Sequence, residues 1–429
     1  MTARTENLPA DYHWNFWALF ADYVGYMTFF TFISPSSVLP AFVRELTDSP
    51  TLIGLSGTIF SVGFLLPQLL MARLIRGKPR TKPFVFATLP GRGLFLIVVL
   101  ALWAGLAQRP EIMLALFFIC VTLFALNDGA SNIPWNDMVA QTIPLSRRGR
   151  LFGLSQIVQG IAAVGAGALI SRILGNASLQ FPSNYIVLFL VACVPLVPSS
   201  LGLALLREPP NVDPVDADPD VEQTNWAASL RNILTEDADY RRLLVCRAFL
   251  TMSGLAVPFY VVHAQDVLQL PGSVIGVFVM AQTVSSLAGS ALFGVVSDRW
   301  GPRYVIRGAA IAGGIAPLFA LLLHLVGDGL SQAYPVVYVI LGIGSSSYIL
   351  GFGNYLLAIS PERDRPTYVG LNSTILGVLS VVPMLGGWIL GQTSYTFLFC
   401  LAGALGLASF VTALRLRAPE EAISKVASG

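Results

Sequence analysis

Apolar residues in this chain run in long stretches, each broken by a few polar or basic positions. A helix rising about 1.5 Å per residue needs roughly 20 such residues to cross a hydrocarbon layer about 30 Å thick. Twelve stretches of that length are predicted, at about 14–42, 51–72, 84–107, 112–135, 149–174, 184–206, 241–263, 273–296, 304–326, 334–358, 367–391 and 394–415. The fourth carries the weakest signal, because Asn127, Asp128, Asn132, Asn136 and Asp137 dilute it. The runs are too long for barrel strands and do not alternate, which excludes a closed β-barrel. The predicted class is an all-α polytopic membrane protein.

Composition sharpens that picture. Of the 429 residues, 55% are hydrophobic and 12% are charged, where a soluble domain carries about 25% charge. Such a chain lacks the solvated coat of a soluble enzyme. The formal net charge of +2 also excludes the electrostatic footprint of a nucleic-acid binder. Cys120, Cys193, Cys246 and Cys400 each sit alone in an apolar run and read as small core residues. Arg4, Glu6 and Asp11 precede a first apolar run longer than a signal peptide, so the first helix is expected to be retained.

Basic residues set the expected orientation. Arg73, Arg76, Lys78, Arg80 and Lys82 lie between the second and third runs, Arg147, Arg148 and Arg150 between the fourth and fifth, and Arg299, Arg303 and Arg307 between the eighth and ninth. The alternate loops hold only Arg44, Arg109 and Arg172. Both termini are therefore expected on the cytoplasmic side of the inner cell membrane. Trp14, Trp17, Trp135 and Trp300 read as anchors at the inner boundary, and Trp103 and Trp388 at the outer one.

The expected organisation is an N-terminal segment 1–13, a six-helix bundle 14–206, an acidic linker 207–240, a second bundle 241–416 and a tail 417–429. The linker holds Glu208, Asp213, Asp216, Asp218, Asp220 and Glu222 among several prolines, a composition that resists folding. A short interfacial helix is expected from Trp226 to Leu234.

The two halves repeat. The run Asp137 to Leu154 aligns with Asn354 to Leu371, matching Pro144 with Pro361, Arg148 with Arg365 and Gly153 with Gly370 at a constant offset. Near that offset, Val38, Pro40 and Phe42 answer Val257, Pro258 and Phe259, and Ile53-Gly54 answers Ile275-Gly276. Six spans separate the matched segments, so the repeats share one orientation.

With this parallel repeat, the chain resembles the major facilitator superfamily of bacterial transporters. The segment Gly294-Val-Val-Ser-Asp298-Arg299-Trp-Gly301-Pro-Arg303 is similar to that family's marker after the second helix of a half. In the first half, Arg73-Leu-Ile-Arg76-Gly77-Lys78 keeps the glycine and the bases but lacks the aspartate. The resemblance implies two parallel six-helix repeats, a cytoplasmic linker and alternating access. It also suggests a cytoplasmic gate in which Gly294, Asp298, Arg299, Gly301 and Arg303 meet the start of the fifth helix at Arg147, Arg148 and Arg150, since a helix N-terminus attracts an acid. Pro383, Gly386 and Gly387 are ordered like an antiporter marker but lie in the eleventh helix, with Val382 where glycine is expected, and add little.

Ionisable residues inside a membrane are costly, so each calls for a partner or a function. Asp22, Arg92 and Asp128 fall at similar depth in the first, third and fourth helices, counted at about 1.5 Å per residue. One cation between two acids leaves an excess carboxylate, which makes Asp22 and Asp128 proton-coupling candidates. Arg92 is the candidate for an intramembrane ion pair, with Asp128 the favoured partner. Tyr26 lies one turn from Asp22 on the same face. With Asn132, Gln156, Gln159, Gln282 and Asn372 it forms the set of substrate-cavity candidates. Arg247 is close enough to a helix end to snorkel to the cytoplasm.

No glycine-lysine phosphate loop appears, and His13, His263 and His324 lack metal-ligand spacing. Neither a cofactor, a metal nor enzymatic chemistry is expected. The expected function is secondary active transport of a small-molecule substrate by a monomer in contact with membrane lipid, coupled to H+ and running as efflux. The alternatives are a symporter taking up a sugar-like solute and a non-transporting sensor or assembly protein of the same fold.

Overall fold

The computed structural model describes residues 9, 11–75, 78, 80–208, 233–235, 237–361 and 365–418. Most of the acidic linker, the proposed Trp226–Leu234 helix apart from its last residues, and most of both tails lie outside the described residues. Among those described, the fold is entirely helical.

The helices are α1 Tyr12–Phe32, continued after a break by Val38–Leu46, and α2 Pro50–Leu65, continued by Gln68–Ile75. Then follow α3 Lys82–Trp103, α4 Pro110–Thr142, α5 Leu145–Leu174, α6 Ser183–Leu205, α7 Ala238–Asp266, α8 Val274–Trp300, α9 Pro302–Val326, α10 Gly329–Ile359, α11 Thr367–Gln392 and α12 Tyr395–Leu414. The ten from α3 to α12 are long and apolar enough to cross a membrane, and Pro50–Leu65 is a shorter apolar helix. Of the twelve expected runs, the first is diluted by Asn15, Asp22, Tyr23 and Tyr26, and the second is cut at Leu66-Pro67.

Proline and glycine account for the internal breaks, because a proline removes a backbone donor and crowds the preceding turn. Pro35 parts α1 from its continuation. Pro90, Gly91 and Gly93 tighten α3 into a 3-10 turn over Leu89–Gly93. Pro195 interrupts α6, Gly254 and Pro258 interrupt α7, and α10 contains a π-helical turn over Tyr348–Gly353. Two expected boundaries move. Helix α4 runs on through Asn136 and Asp137 to Thr142, so only Ile143 and Pro144 connect it to α5. Arg147, Arg148 and Arg150 therefore sit in the opening turns of α5 and not in a loop. Gly301 adopts φ +92° between α8 and α9, a left-handed backbone that favours glycine and explains that marker position.

Two compact units emerge. The first contains Met1–Ile33, Val62–Ala166 and Leu179–Pro219; the second contains Ser34–Ser61, Gly167–Ser178 and Asp220–Gly429. In the first, a Cβ on Gly25 would lie 2.4 Å from the Pro195 carbonyl, and one on Gly202 2.4 Å from that of Ala18. Only glycine lets α1 and α6 approach so closely. Asn15 then bonds the backbone of Arg207 in both directions at 2.8 Å, and Trp14 donates to the Leu205 carbonyl at 2.7 Å. Glu208 accepts from the backbone N–H of Thr81 and of Lys82, satisfying open donors at the start of α3.

In the second unit, Arg44 bonds Asp266 at 2.6 Å and also binds Asp48. Burial raises the Glu45 carboxyl above its usual range, with Arg44 pulling the other way. Gly386 and Gly387 serve close packing there: a Cβ on either would strike the carbonyl of Leu255 or Pro50. All four cysteines are free, and Cys400 is exposed on α12 instead of lying in the core. Trp14, Trp17, Trp103, Trp300 and Trp388 are all exposed, as anchors should be. Trp135 is not; it turns inward.

Candidate functional site

The polar centre of the first unit forms around Asp22, which is 3% exposed. The 3-10 turn in α3 carries Arg92 to it, and Arg92 Nη2 donates to Asp22 Oδ1 at 2.9 Å. A Cβ on Gly91 would sit 2.2 Å from Asn127, so this turn needs glycine to lie against α4. From α6, Ser199 Oγ donates to the same Asp22 oxygen at 2.7 Å and accepts from Arg92 Nη1 at 2.6 Å. From α4, Trp135 Nε1 donates to Asp22 Oδ2 at 2.7 Å. Four helices thus converge on one carboxylate, and both of its oxygens are occupied by donors.

Arg92 pairs with Asp22 and not with Asp128, the partner favoured from the sequence. Its guanidinium also lies over the Tyr26 ring, 5.5 Å from the centroid. Asp128 stays half-buried beside Tyr26, within electrostatic reach of Arg92 and of the like-charged Asp22, but it makes no ion pair with Arg92. The Tyr26 hydroxyl is buried and makes no hydrogen bond of normal geometry, although Asp128 is its acidic neighbour. The three ionisable groups expected at one depth do come together. Their pairing is what the residue count could not assign.

The neutral candidates divide. Gln156 is exposed on α5 beside Tyr23, whose ring packs 6.3 Å from Trp135, so it joins the edge of the Asp22 cluster. Gln159 is half-buried on α5 and makes no side-chain hydrogen bond among the described residues. Asn132 is engaged within its own helix, accepting from Asn136 through its backbone oxygen at 2.8 Å and its side chain at 3.3 Å.

Gln282 and Asn372 belong to the second unit. Gln282 Oε1 accepts from Ser36 at 2.7 Å, and Gln282 also lines a cavity of about 180 Å³ among α7, α8, α9 and α10. Leu250, Ser253, Tyr260, Ser345 and Tyr348 are among the other walls. Asn372 is buried on α11 and accepts from Arg247 Nη1 at 3.2 Å. Arg247 does not snorkel to a helix end. Its guanidinium lies 5.0 Å from the Phe352 ring and 5.7 Å from that of Tyr348, and its Nε is buried without a partner.

The gate residues fall in both units. Asp298 and Arg299 are exposed in the last turn of α8, after Gly294 on the same helix, and Arg303 lies over the Tyr304 ring just beyond Gly301. In the first unit, Arg148 donates to the carbonyls of Ala140 and Ile143, capping the end of α4. Arg147 and Arg150 flank it on α5, where Arg150 is exposed.

Sequence reasoning passed over Ser199, Trp135 and the histidines. Ser199 is a small polar residue behind two prolines, Trp135 matched a boundary position, and His263 and His324 are far apart in the chain. The fold brings the histidine rings together: His263 Nε2 lies 3.0 Å from His324 Nδ1, and His263 Nδ1 lies 3.0 Å from the Tyr334 hydroxyl. Among the described residues, no group of three or more His, Cys, Asp or Glu is arranged to hold a metal ion.

The family model described as Major Facilitator Superfamily matches residues 19–252 and again 243–428. An uncharacterized protein of Mycobacterium tuberculosis is 21% identical over 372 residues, covering 85% of this chain and 70% of its own. The quinolone resistance protein NorA of Staphylococcus aureus is 28% identical over 165 residues, 38% of this chain and 40% of its own. Among solved structures, a bacterial homologue of the iron transporter ferroportin, inward-facing, superposes with a TM-score of 0.70 at 15% identity, covering 94% of this chain and 97% of that one. A D-xylose-proton symporter gives 0.60, also at 15% identity, covering 94% and 97%. At these identities, the structures share the fold alone.

Proposed function

The chain belongs to the Major Facilitator Superfamily, and on that premise we propose that it carries a small solute across the cytoplasmic membrane by proton-coupled secondary active transport. The observation carrying this reading is the uneven charge count around Arg92: one buried guanidinium, two carboxylates nearby, and only one of them bonded to it. Asp22 is held by three donors and acts as the fixed half of an ion pair. Asp128 is the excess acid, half-buried beside the Tyr26 hydroxyl, and is the proton carrier in this reading. A change of charge on this acid breaks no ion pair.

Efflux is the preferred direction. The partial similarity to a quinolone resistance protein supports it.

The test uses the full chain in proteoliposomes loaded with a pH-sensitive dye, challenged with quinolones, amphipathic amines and organic acids under an imposed pH gradient. Substrate-dependent proton movement should be present in the native protein and absent in Asp128→Asn, while that variant keeps its unfolding temperature. Gradient-driven transport by Asp128→Asn with unchanged pH dependence would end the assignment.

A further inference from the structure

The second unit holds a cation that the first unit's chemistry makes conspicuous. Arg92 has a carboxylate, a serine and an aromatic face to balance it. Arg247 stands nine residues into α7, or about 13 Å along the helix at its normal rise. Among the described residues it has no acidic partner. Asp237 caps α7 through the backbone N–H groups of Asp239 and Tyr240 and accepts from the Tyr368 hydroxyl at 2.9 Å. Asp239 is bound to Arg242 at 2.7 Å and lies 3.8 Å from Arg417. The acids at this end of α7 are engaged elsewhere.

A guanidinium has five N–H donors in a planar fork. Among the described residues, the 3.2 Å contact to Asn372 is the one bond that accounts for them, and Nε is buried with nothing to accept from it. Two aromatic rings, Phe352 and Tyr348, cover the cation. They stabilise charge without filling hydrogen bonds. The guanidinium is half-buried and positive, and its terminal N–H groups suit a planar oxyanion, which binds such a fork through two parallel bonds.

Its surroundings say what the rest of that ligand looks like. Tyr348 is shared between Arg247 and the cavity of about 180 Å³, and Leu250, one turn along α7 from Arg247, lines that cavity too. Most walls are apolar: Val257, Ala309, Ala312, Pro317 and Leu341 among them. Ser253, Gln282 and Ser345 supply a few polar points. A largely apolar cavity that shares Tyr348 with the Arg247 guanidinium suits a molecule with an apolar body and one anionic end.

We propose that Arg247 anchors the anionic group of an amphipathic organic acid, with Asn372 orienting the guanidinium and the α7–α10 cavity receiving the apolar body. This deepens the transport reading and rests on it for the word cargo; the binding site itself does not. An anionic lipid headgroup offers the same chemistry from a second source.

Binding is measured by calorimetry on the purified full chain with three probes of one shape: 4-phenylbutyrate, its neutral amide and the cationic 4-phenylbutylamine. The carboxylate should bind at least tenfold tighter than the amide, and the amine not at all. Arg247→Gln should abolish that preference, and Arg247→Lys should keep part of it. Arg247→Gln should unfold at or above the native temperature, since it removes an uncompensated charge. Equal affinity for acid and amide, or an undiminished preference in Arg247→Gln, would overturn the proposal. Nanodiscs of phosphatidylcholine with and without phosphatidylglycerol separate the two sources: displacement of the probe by the anionic lipid would overturn the cargo assignment. Selective binding without gradient-driven flux would leave the anion site standing and refute transport. Flux of the amide and the acid alike would do the reverse.

Discussion

Ser199 Oγ lies 2.7 Å from Asp22 Oδ1 and 2.6 Å from Arg92 Nη1, so one hydroxyl stitches both halves of an ion pair together. It donates to the acid and accepts from the base. Such a satisfied pair resists dissection, because removing one member leaves the other charge alone. Asp22→Asn should therefore destabilise the protein by about 3–5 kcal/mol, the usual loss when a buried pair is broken from one side. The double variant Asp22→Asn with Arg92→Gln should recover much of that loss. Denaturation in detergent reads both, and a single variant as stable as the native protein would show that the pair holds nothing.

Close approach of α1 and α6 delivers Ser199 to that pair. Gly202→Ala would push a methyl to 2.4 Å from the Ala18 carbonyl, a backbone atom with nowhere to go. Overpacking of this kind costs about 1–3 kcal/mol. The unfolding midpoint should fall, whereas the same substitution at Gly165, where a Cβ meets nothing within 4 Å, should leave it in place. Equal midpoints for the two variants would contradict the packing account.

Trp135 illustrates what the chain discloses and what it withholds. The all-helical apolar class and the meeting of Asp22, Arg92 and Asp128 were legible, because each depends only on residue type and count along a helix. Trp135 also has a count, and it reads as a boundary anchor. Which way its indole turns depends on the rotation of α4 against α1, and periodicity does not encode that. Ser199 was silent for the same reason: it matters only once Pro195 interrupts α6 and Gly25 admits it. Arg247 counted as close to a helix end, yet aromatic rings from α10 and Asn372 from α11 hold it inside. In each case the missing information is the contact between helices distant in sequence.

The inward placement of Trp135 has a measurable consequence. Its indole N–H bonds a carboxylate, an interaction worth about 1.5–3 kcal/mol when a charged group takes part. Trp135→Phe should lower stability by that order. Trp103 is 77% exposed, and Trp103→Phe should change stability by less than about 0.5 kcal/mol. Acrylamide quenching of single-tryptophan variants gives an independent reading, with Trp135 the better shielded of the two. The reverse order would return Trp135 to the boundary.

Arg44 and Asp266 make a different kind of ion pair. Their side chains are 33% and 37% exposed, so water and salt screen the attraction. A double-mutant cycle of Arg44→Ala and Asp266→Ala should give a coupling energy of only about 0.2–1 kcal/mol at low salt. Raising the salt should shrink it further. A coupling of several kcal/mol would mean the contact is drier than its exposure indicates.

The buried histidine at the end of α7 provides the sharpest contrast with that screened pair. His263 is fully buried, with one ring nitrogen against the Tyr334 hydroxyl and the other against His324. Replacing it with leucine keeps the volume but removes a bond from the half-buried His324 and strands the buried Tyr334 hydroxyl, and a buried polar group left without a bond costs about 1–3 kcal/mol. His263→Leu should therefore be markedly less stable than the native protein. Adding Tyr334→Phe removes the stranded hydroxyl, so the double variant should regain part of the loss. Unfolding midpoints of the two variants decide the matter. If Tyr334→Phe brought no recovery in the His263→Leu background, the hydroxyl would not be bonded to that ring, and the cluster would owe its order to the packing of Tyr395 and Phe399 around it.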